Sequence, residues 1–173
     1  MRVLFFCSAV KDIAPEYNSA ARSLVKAACD RGYEIVSGGT VKGTMAVVCE
    51  TAAECGARVR GVLPAFMRGL EHPALTDLEW TETMAERKEK MREGVDIVIA
   101  LPGGIGTMDE LFETFTLAKL GRFPGKLAVL NIGGFYDPLA ALLDHFVAAN
   151  MLTPEDRGLL HICSTIQEIE DLL

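Results

Sequence analysis

The 173-residue sequence has no Cys-x-x-Cys pair, and its three histidines, His72, His145 and His161, stand at no zinc-ligand spacing from any cysteine. No metal site is expected. The cysteines, Cys7, Cys29, Cys49, Cys55 and Cys163, are odd in number and read as buried, reduced thiols rather than a disulfide framework. Long apolar runs are also missing. Although the mean hydropathy is +0.24, no stretch approaches the roughly 18 residues of a membrane-spanning helix. The run Val3-Leu4-Phe5-Phe6-Cys7 after Arg2 is too short for a signal-peptide core. These absences predict a soluble, cytoplasmic protein with no membrane partner. Dense basic windows are lacking too, and 17 Lys+Arg against 24 Asp+Glu leave a net charge of −7, so nucleic acid is not an expected partner. Internal repeats, low-complexity tracts and linker-like stretches are absent.

What is present is an ordinary globular composition, 50% hydrophobic and 24% charged, with 16 Gly and 7 Pro spread along the chain. Its length suits one domain over residues 1–173 with one full core. Apolar runs bounded by Gly, Pro, Ser or Asp predict strands over 3–7, 33–37, 58–63, 77–81, 96–101, 127–132 and 159–164. Amphipathic segments between them predict helices over about 15–31, 43–55, 83–93, 107–120, 136–150 and 166–173. The strands are continuously apolar rather than alternating, as in parallel sheets covered on both faces. The expected fold is α/β, a single doubly wound, mostly parallel, Rossmann-like sheet with helices on both faces.

In such a sheet, ligands bind beyond the carboxyl ends of the strands. Three turns there carry Gly-Gly: Gly38-Gly39, Gly103-Gly104 and Gly133-Gly134. The segment Pro102-Gly103-Gly104-Ile105-Gly106-Thr107-Met108-Asp109-Glu110 lies between a strand and a helix, where unpaired N–H groups favour an anion. It is not the dinucleotide fingerprint, because Asp109 stands where a third Gly would fall, and it lacks the Gly-Lys-Ser/Thr of a P-loop.

Two side chains are ambiguous. Glu110 completes a capping box with Thr107, yet it lies off the helix's core stripe of Met108, Leu111, Phe112 and Phe115, beside an exposed-looking Leu117. Arg87 and Lys88 share a helical face with Met84 and Met91. Arg87 either snorkels past the methionines to water or belongs to a site.

Taken together, these motifs resemble the Lonely Guy family, the cytokinin riboside 5'-monophosphate phosphoribohydrolases, often labelled lysine decarboxylase-like. The family signature Pro-Gly-Gly-x-Gly-Thr-x-x-Glu is present unchanged from Pro102 to Glu110, with the Arg-Lys pair at Arg87-Lys88. Tyr17, Leu120-Gly121, Leu130-Asn131 and Gly134-Phe135-Tyr136-Asp137 are supporting matches. The resemblance implies hydrolysis of the N-glycosidic bond of a nucleoside 5'-monophosphate to free base and ribose 5-phosphate. It implies Arg87 and Glu110 as the catalytic pair, with Glu110 kept ionised by the helix N-terminus. Gly103, Gly104, Ile105, Gly106 and Thr107 would seat the phosphate, with Met84, Lys88, Gly39 and Ser8 also at the ligand. No metal or organic cofactor is implied, and the family habit is a homodimer.

The chain departs from the family pattern around this signature. Thr40 and Ala46 replace glycines in Gly38-Gly39-Thr40-Val41-Lys42-Gly43-Thr44-Met45-Ala46, and Ser8-Ala9-Val10 replaces Gly-Ser-Ser. Ala85, Leu117 and Lys119 replace His, Trp and Gln. Base preference, whether for a modified adenine, AMP or another nucleotide, is therefore open. The alternative function is a non-catalytic carrier or sensor of a phosphorylated ligand, similar to molybdenum cofactor carrier proteins. A pyridoxal-phosphate decarboxylase fits poorly, since the chain is small and no lysine has an identifiable partner for a pyridine nitrogen.

Overall fold

The computed structural model describes all 173 residues. Seven strands form one sheet: β1 (Arg2–Phe6), β2 (Glu34–Ser37), β3 (Val59–Pro64), β4 (Asp77–Thr81), β5 (Ile97–Ala100), β6 (Lys126–Leu130) and β7 (Leu160–Cys163). Their order is β4-β3-β2-β1-β5-β6-β7, and every neighbouring pair is parallel. The helices are α1 (Pro15–Asp30), α2 (Gly43–Glu54), α3 (Met84–Arg92), α4 (Ile105–Lys119), α5 (Asp137–Ala148), α6 (Pro154–Arg157) and α7 (Ile166–Glu170).

Side chains alternate across a strand, so an apolar run divides itself between two faces. From the first run, Val3, Phe5 and Cys7 enter a core with Leu24 of α1, Val48 of α2 and Ile169 of α7. Leu4 and Phe6 face the other way, into a core with Met91 of α3, Leu111 and Phe115 of α4, and Leu139 and Leu143 of α5. Both faces are dry, and this explains why the strands read as unbroken apolar runs.

The seven strands and six longer helices fall within a few residues of their predicted bounds. One boundary matters. Helix α4 begins at Ile105, not Thr107, with Gly104 as its last extended residue and no side-chain cap. The capping box is therefore not formed. Helix α6 and two short 3-10 turns, Ala65–Met67 and Ile132–Gly134, were not expected, being too short to show a period. The cysteine reading needs a partial correction: all five are free, but Cys55 is exposed and Cys29 only half-buried. Leu117 is likewise not exposed; it is half-buried against the second core.

A polar bracket fixes the turn after β5. The Asn131 side chain accepts from the Tyr136 N–H (2.6 Å) and donates to Asp137 (2.7 Å), while the Tyr136 hydroxyl donates to the Leu101 carbonyl (2.7 Å). Tyr136 is only 2% exposed, so water cannot replace a lost bond. Tyr136→Phe is expected to cost about 1–3 kcal/mol, read as a lower urea midpoint with unchanged slope. An unchanged midpoint would show that the bracket contributes nothing.

Candidate active site

Strands β1 and β5 are neighbours, but the chain leaves β1 toward α1 on one face and β5 toward α4 on the other. The diverging loops open a crevice at this switch point. A cleft of about 370 Å³ lies there. Its walls come from the loop after β1 (Cys7 to Val10), the turn after β2 (Thr40 and Lys42), the start of α4 and the side chains of Met84 and Arg87 on α3.

Arg87 does not snorkel to water. It is 5% exposed, its Nε donates to the Val62 carbonyl (3.0 Å), and its Nη1 donates to Glu110 Oε1 (2.8 Å). Glu110 is 8% exposed, and its second oxygen accepts no hydrogen bond from the protein. That oxygen is the open end of the ion pair. Lying in the second turn of α4, Glu110 is beyond the reach of the helix terminus, whose effect fades within one turn. Burial raises its pKa above the ordinary carboxylate range, against the opposing pull of Arg87. The expectation of a carboxylate held ionised by the helix end is therefore corrected.

The anion-favouring element is the first turn of α4. Its first backbone bond runs from the Met108 N–H to the Gly104 carbonyl (3.0 Å), leaving the N–H groups of Ile105, Gly106 and Thr107 without backbone acceptors. Gly103 makes this turn possible, because a Cβ there would lie 2.1 Å from Thr107 Oγ1. Gly38 serves Arg87 in the same way: a Cβ would lie 2.5 Å from its Nη2.

Of the residues expected at the ligand, Ser8, Met84, Gly104, Ile105, Gly106 and Thr107 line the cleft with Arg87 and Glu110. Gly103 lines a smaller adjoining groove with Tyr17 and Phe135. Two expected residues lie elsewhere. Lys88 does not itself line the cleft; it is held behind the wall by both oxygens of Asp109 (3.0 Å each) and by Glu113. Gly39 packs against Leu63 and Gly61 of β3, its carbonyl accepting from the His72 N–H (2.8 Å).

Reading the sequence missed Met45, Met67, Leu70 and Lys42. Met67 and Leu70 arrive on the irregular segment 64–73, pinned over the cleft by the Val41 N–H to Leu70 carbonyl bond (2.9 Å) and the Thr40–Glu71 bridge. Irregular backbone gives no period from which to foresee such a placement. Lys42, one residue before α2 in a glycine-rich turn facing the carboxyl edge, did carry a signal. A larger hollow of about 720 Å³ beside α3 is lined by Glu86, Glu89, Lys90, Arg92, Glu93 and Glu113. Its charges are largely paired with one another, as in Arg92–Glu113 and Lys90–Glu93.

A doubly wound parallel sheet with an anion-favouring cleft at its switch point defines an α/β protein of the phosphate- or nucleotide-binding class. The comparisons narrow this. Residues 45–173 match the family described as "Possible lysine decarboxylase". The chain is 32% identical over 170 residues to the cytokinin riboside 5'-monophosphate phosphoribohydrolase LOG of Oryza sativa subsp. japonica, covering 97% of this chain and 70% of that protein. It is also 32% identical over 168 residues to the cytokinin riboside 5'-monophosphate phosphoribohydrolase of Rhodococcoides fascians, covering 95% and 85%. The protein belongs to this Lonely Guy family. The fold is shared more widely: the molybdenum cofactor carrier protein of Chlamydomonas reinhardtii superposes with a TM-score of 0.72 at 20% identity, over 99% of this chain and 97% of that one.

Cys7 stands in the cleft beside Glu110, and burial together with that carboxylate raises its pKa well above the ordinary thiol value. A protonated thiol is a poor nucleophile, so no nucleophilic role is assigned to Cys7. In native protein at pH 8, a disulfide reagent is expected to consume one thiol quickly, the exposed Cys55, and Cys55→Ser should remove that phase. Fast modification of Cys7, read by peptide mass, would overturn the assignment.

Proposed function

We propose that the protein hydrolyses the N-glycosidic bond of a nucleoside 5'-monophosphate, releasing the free base and ribose 5-phosphate. The observation that carries this reading is the buried Arg87–Glu110 pair, whose one open carboxylate oxygen stands beside an anion-favouring helix start. The names of the family relatives agree with it. Breaking the C1'–N bond sends its electron pair to the base nitrogen and builds positive charge on the ribose ring, as in oxocarbenium-like glycoside cleavage. Glu110, ionised, stabilises that charge and orients water toward C1'. Water's oxygen bonds to C1', and one of its protons passes through Glu110 to the departing base. A carboxyl whose pKa is raised by burial suits this relay better than an ordinary one. Arg87 holds Glu110 in register, since its Nε and Nη1 are already engaged. The first turn of α4 receives the phosphate, and that remote contact positions the scissile bond.

Met45, Met67, Leu70 and Met84 give the base an apolar and deformable wall, compatible with a modified adenine or plain AMP. The same reading includes a cytoplasmic homodimer with the site near the subunit boundary. Met84, Ile105 and Leu120 leave apolar surface exposed around α4, and the molar mass in solution tests this. A pyridoxal-phosphate decarboxylase does not fit these residues. Both carboxylates in the cleft, Asp109 and Glu110, already face a cation, Lys88 and Arg87, whose positive charge opposes a protonated pyridine nitrogen beside them.

The test is release of base from AMP, GMP, CMP and isopentenyl-AMP, followed by chromatography. Glu110→Gln, which can still accept from Arg87 through its amide oxygen, is expected to lose at least a hundredfold in kcat while still binding nucleotide. Binding without turnover in the unaltered protein would favour a carrier or sensor instead. The raised pKa gives a second expectation. As pH falls, kcat/KM should decline as Glu110 takes up its proton, with a midpoint above the ordinary glutamate range. A midpoint at or below that range would place the essential ionisation on another group.

A further inference from the structure

The cleft's charges do not cancel. Arg87 is matched by Glu110, and Asp109 is matched by Lys88. Lys42 also lines the cleft, yet it makes no ion pair and no side-chain hydrogen bond with any group of the protein. It is the one uncompensated ionic charge there. Its position is fixed by local packing. Lys42 is the extended residue immediately before α2, and the next residue must be glycine because a Cβ at Gly43 would lie 2.6–2.7 Å from Ser8 O, Val10 O and the Ala9 carbonyl carbon. The loop after β1 and the start of α2 are thereby pressed together, anchoring the base of the lysine at the edge of the cleft.

We propose that Lys42 is the counter-charge of the substrate's 5'-phosphate and sets the preference of the cleft for phosphorylated over unphosphorylated nucleosides. This rests on the nucleotide reading above. A phosphate monoester carries about −1.5 to −2 charges at pH 7, and the start of α4 offers only about half a positive charge. Lys42 supplies most of the remainder. A flexible ammonium suits the task, since it follows the phosphate as a point charge without demanding the planar fork of arginine.

The experiment compares the unaltered protein with Lys42→Ala and Lys42→Arg, using calorimetric binding of AMP, ribose 5-phosphate and adenosine. Lys42→Ala is expected to weaken AMP and ribose 5-phosphate about ten- to hundredfold and to leave adenosine unchanged. Lys42→Arg should recover most of the loss. The affinity of AMP should fall with added salt in the unaltered protein and less steeply in Lys42→Ala. Equal losses for AMP and adenosine, or no loss for AMP, would overturn the proposal. If the unaltered protein binds AMP but releases no base, the hydrolase reading fails, while these affinities still decide the role of Lys42. Failure of the unaltered protein to bind any phosphate would overturn both.

Discussion

Burying Arg87 and Glu110 strips each ion of its hydration, a penalty of several kcal/mol per ion, and much of the sheet's carboxyl edge is arranged around offsetting it. The guanidinium is met by the Val62 carbonyl of β3 and by Glu110 from α4, so one side chain of α3 ties three elements together. Met91, one turn further along α3, is 1% exposed in the core against β5 and α4, which keeps the helix from sliding and the guanidinium in place. The carboxylate is satisfied on one oxygen only. A fully satisfied pair would be a structural strut. A pair with one open oxygen beside a cleft is poised to act on something that enters it.

Close approach of backbone and side chain is the second constraint, and it decides where glycine must stand. At Gly103 and Gly38 the forbidden Cβ would collide with Thr107 Oγ1 and with Arg87 Nη2, both groups at the cleft. Of the two Gly-Gly turns that border the site, one glycine in each is therefore set by the functional side chains rather than by turn geometry alone. The Thr107 hydroxyl, which would cap the helix if α4 began three residues later, instead lies over Gly103. Starting the helix earlier exposes the N–H groups of Ile105, Gly106 and Thr107 and carries Glu110 round to face Arg87.

This explains what could be read from the sequence and what could not. The sheet was legible because each strand is an apolar run closed by punctuating residues, and burial on both faces leaves the run unbroken. The Pro102–Glu110 signature and Arg87 were legible as residue types at a spacing, and the structure joins them. The state of Glu110 was not legible. Its pKa depends on how much of α3, β3 and the β1 loop covers it, a sum over segments distant in sequence. Lys88, adjacent to Arg87, looked equivalent to it in the sequence. One residue is 100° of helix, however, and that turns the ammonium toward Asp109 and Glu113 and out of the cleft. Gly39 was placed at the ligand for the same reason that Gly103 was, yet its tight contact is with β3.

The likeness in fold to a molybdenum cofactor carrier and the likeness in sequence to phosphoribohydrolases pull toward different functions, and the fold alone cannot choose between them. The chemistry of the cleft can. Holding a phosphorylated ligand needs amides, a cation and a shaped wall, all of which α4, Lys42 and the methionines provide. It gains nothing from a buried carboxylate with an open oxygen, which repels an anion and costs desolvation energy. That expense becomes intelligible when positive charge appears transiently next to the carboxylate, as it does on a ribose ring losing its base. On the proposed reading the phosphate end of the cleft accounts for binding, and the buried carboxylate of Glu110, whose open oxygen works against binding an anion, accounts for catalysis.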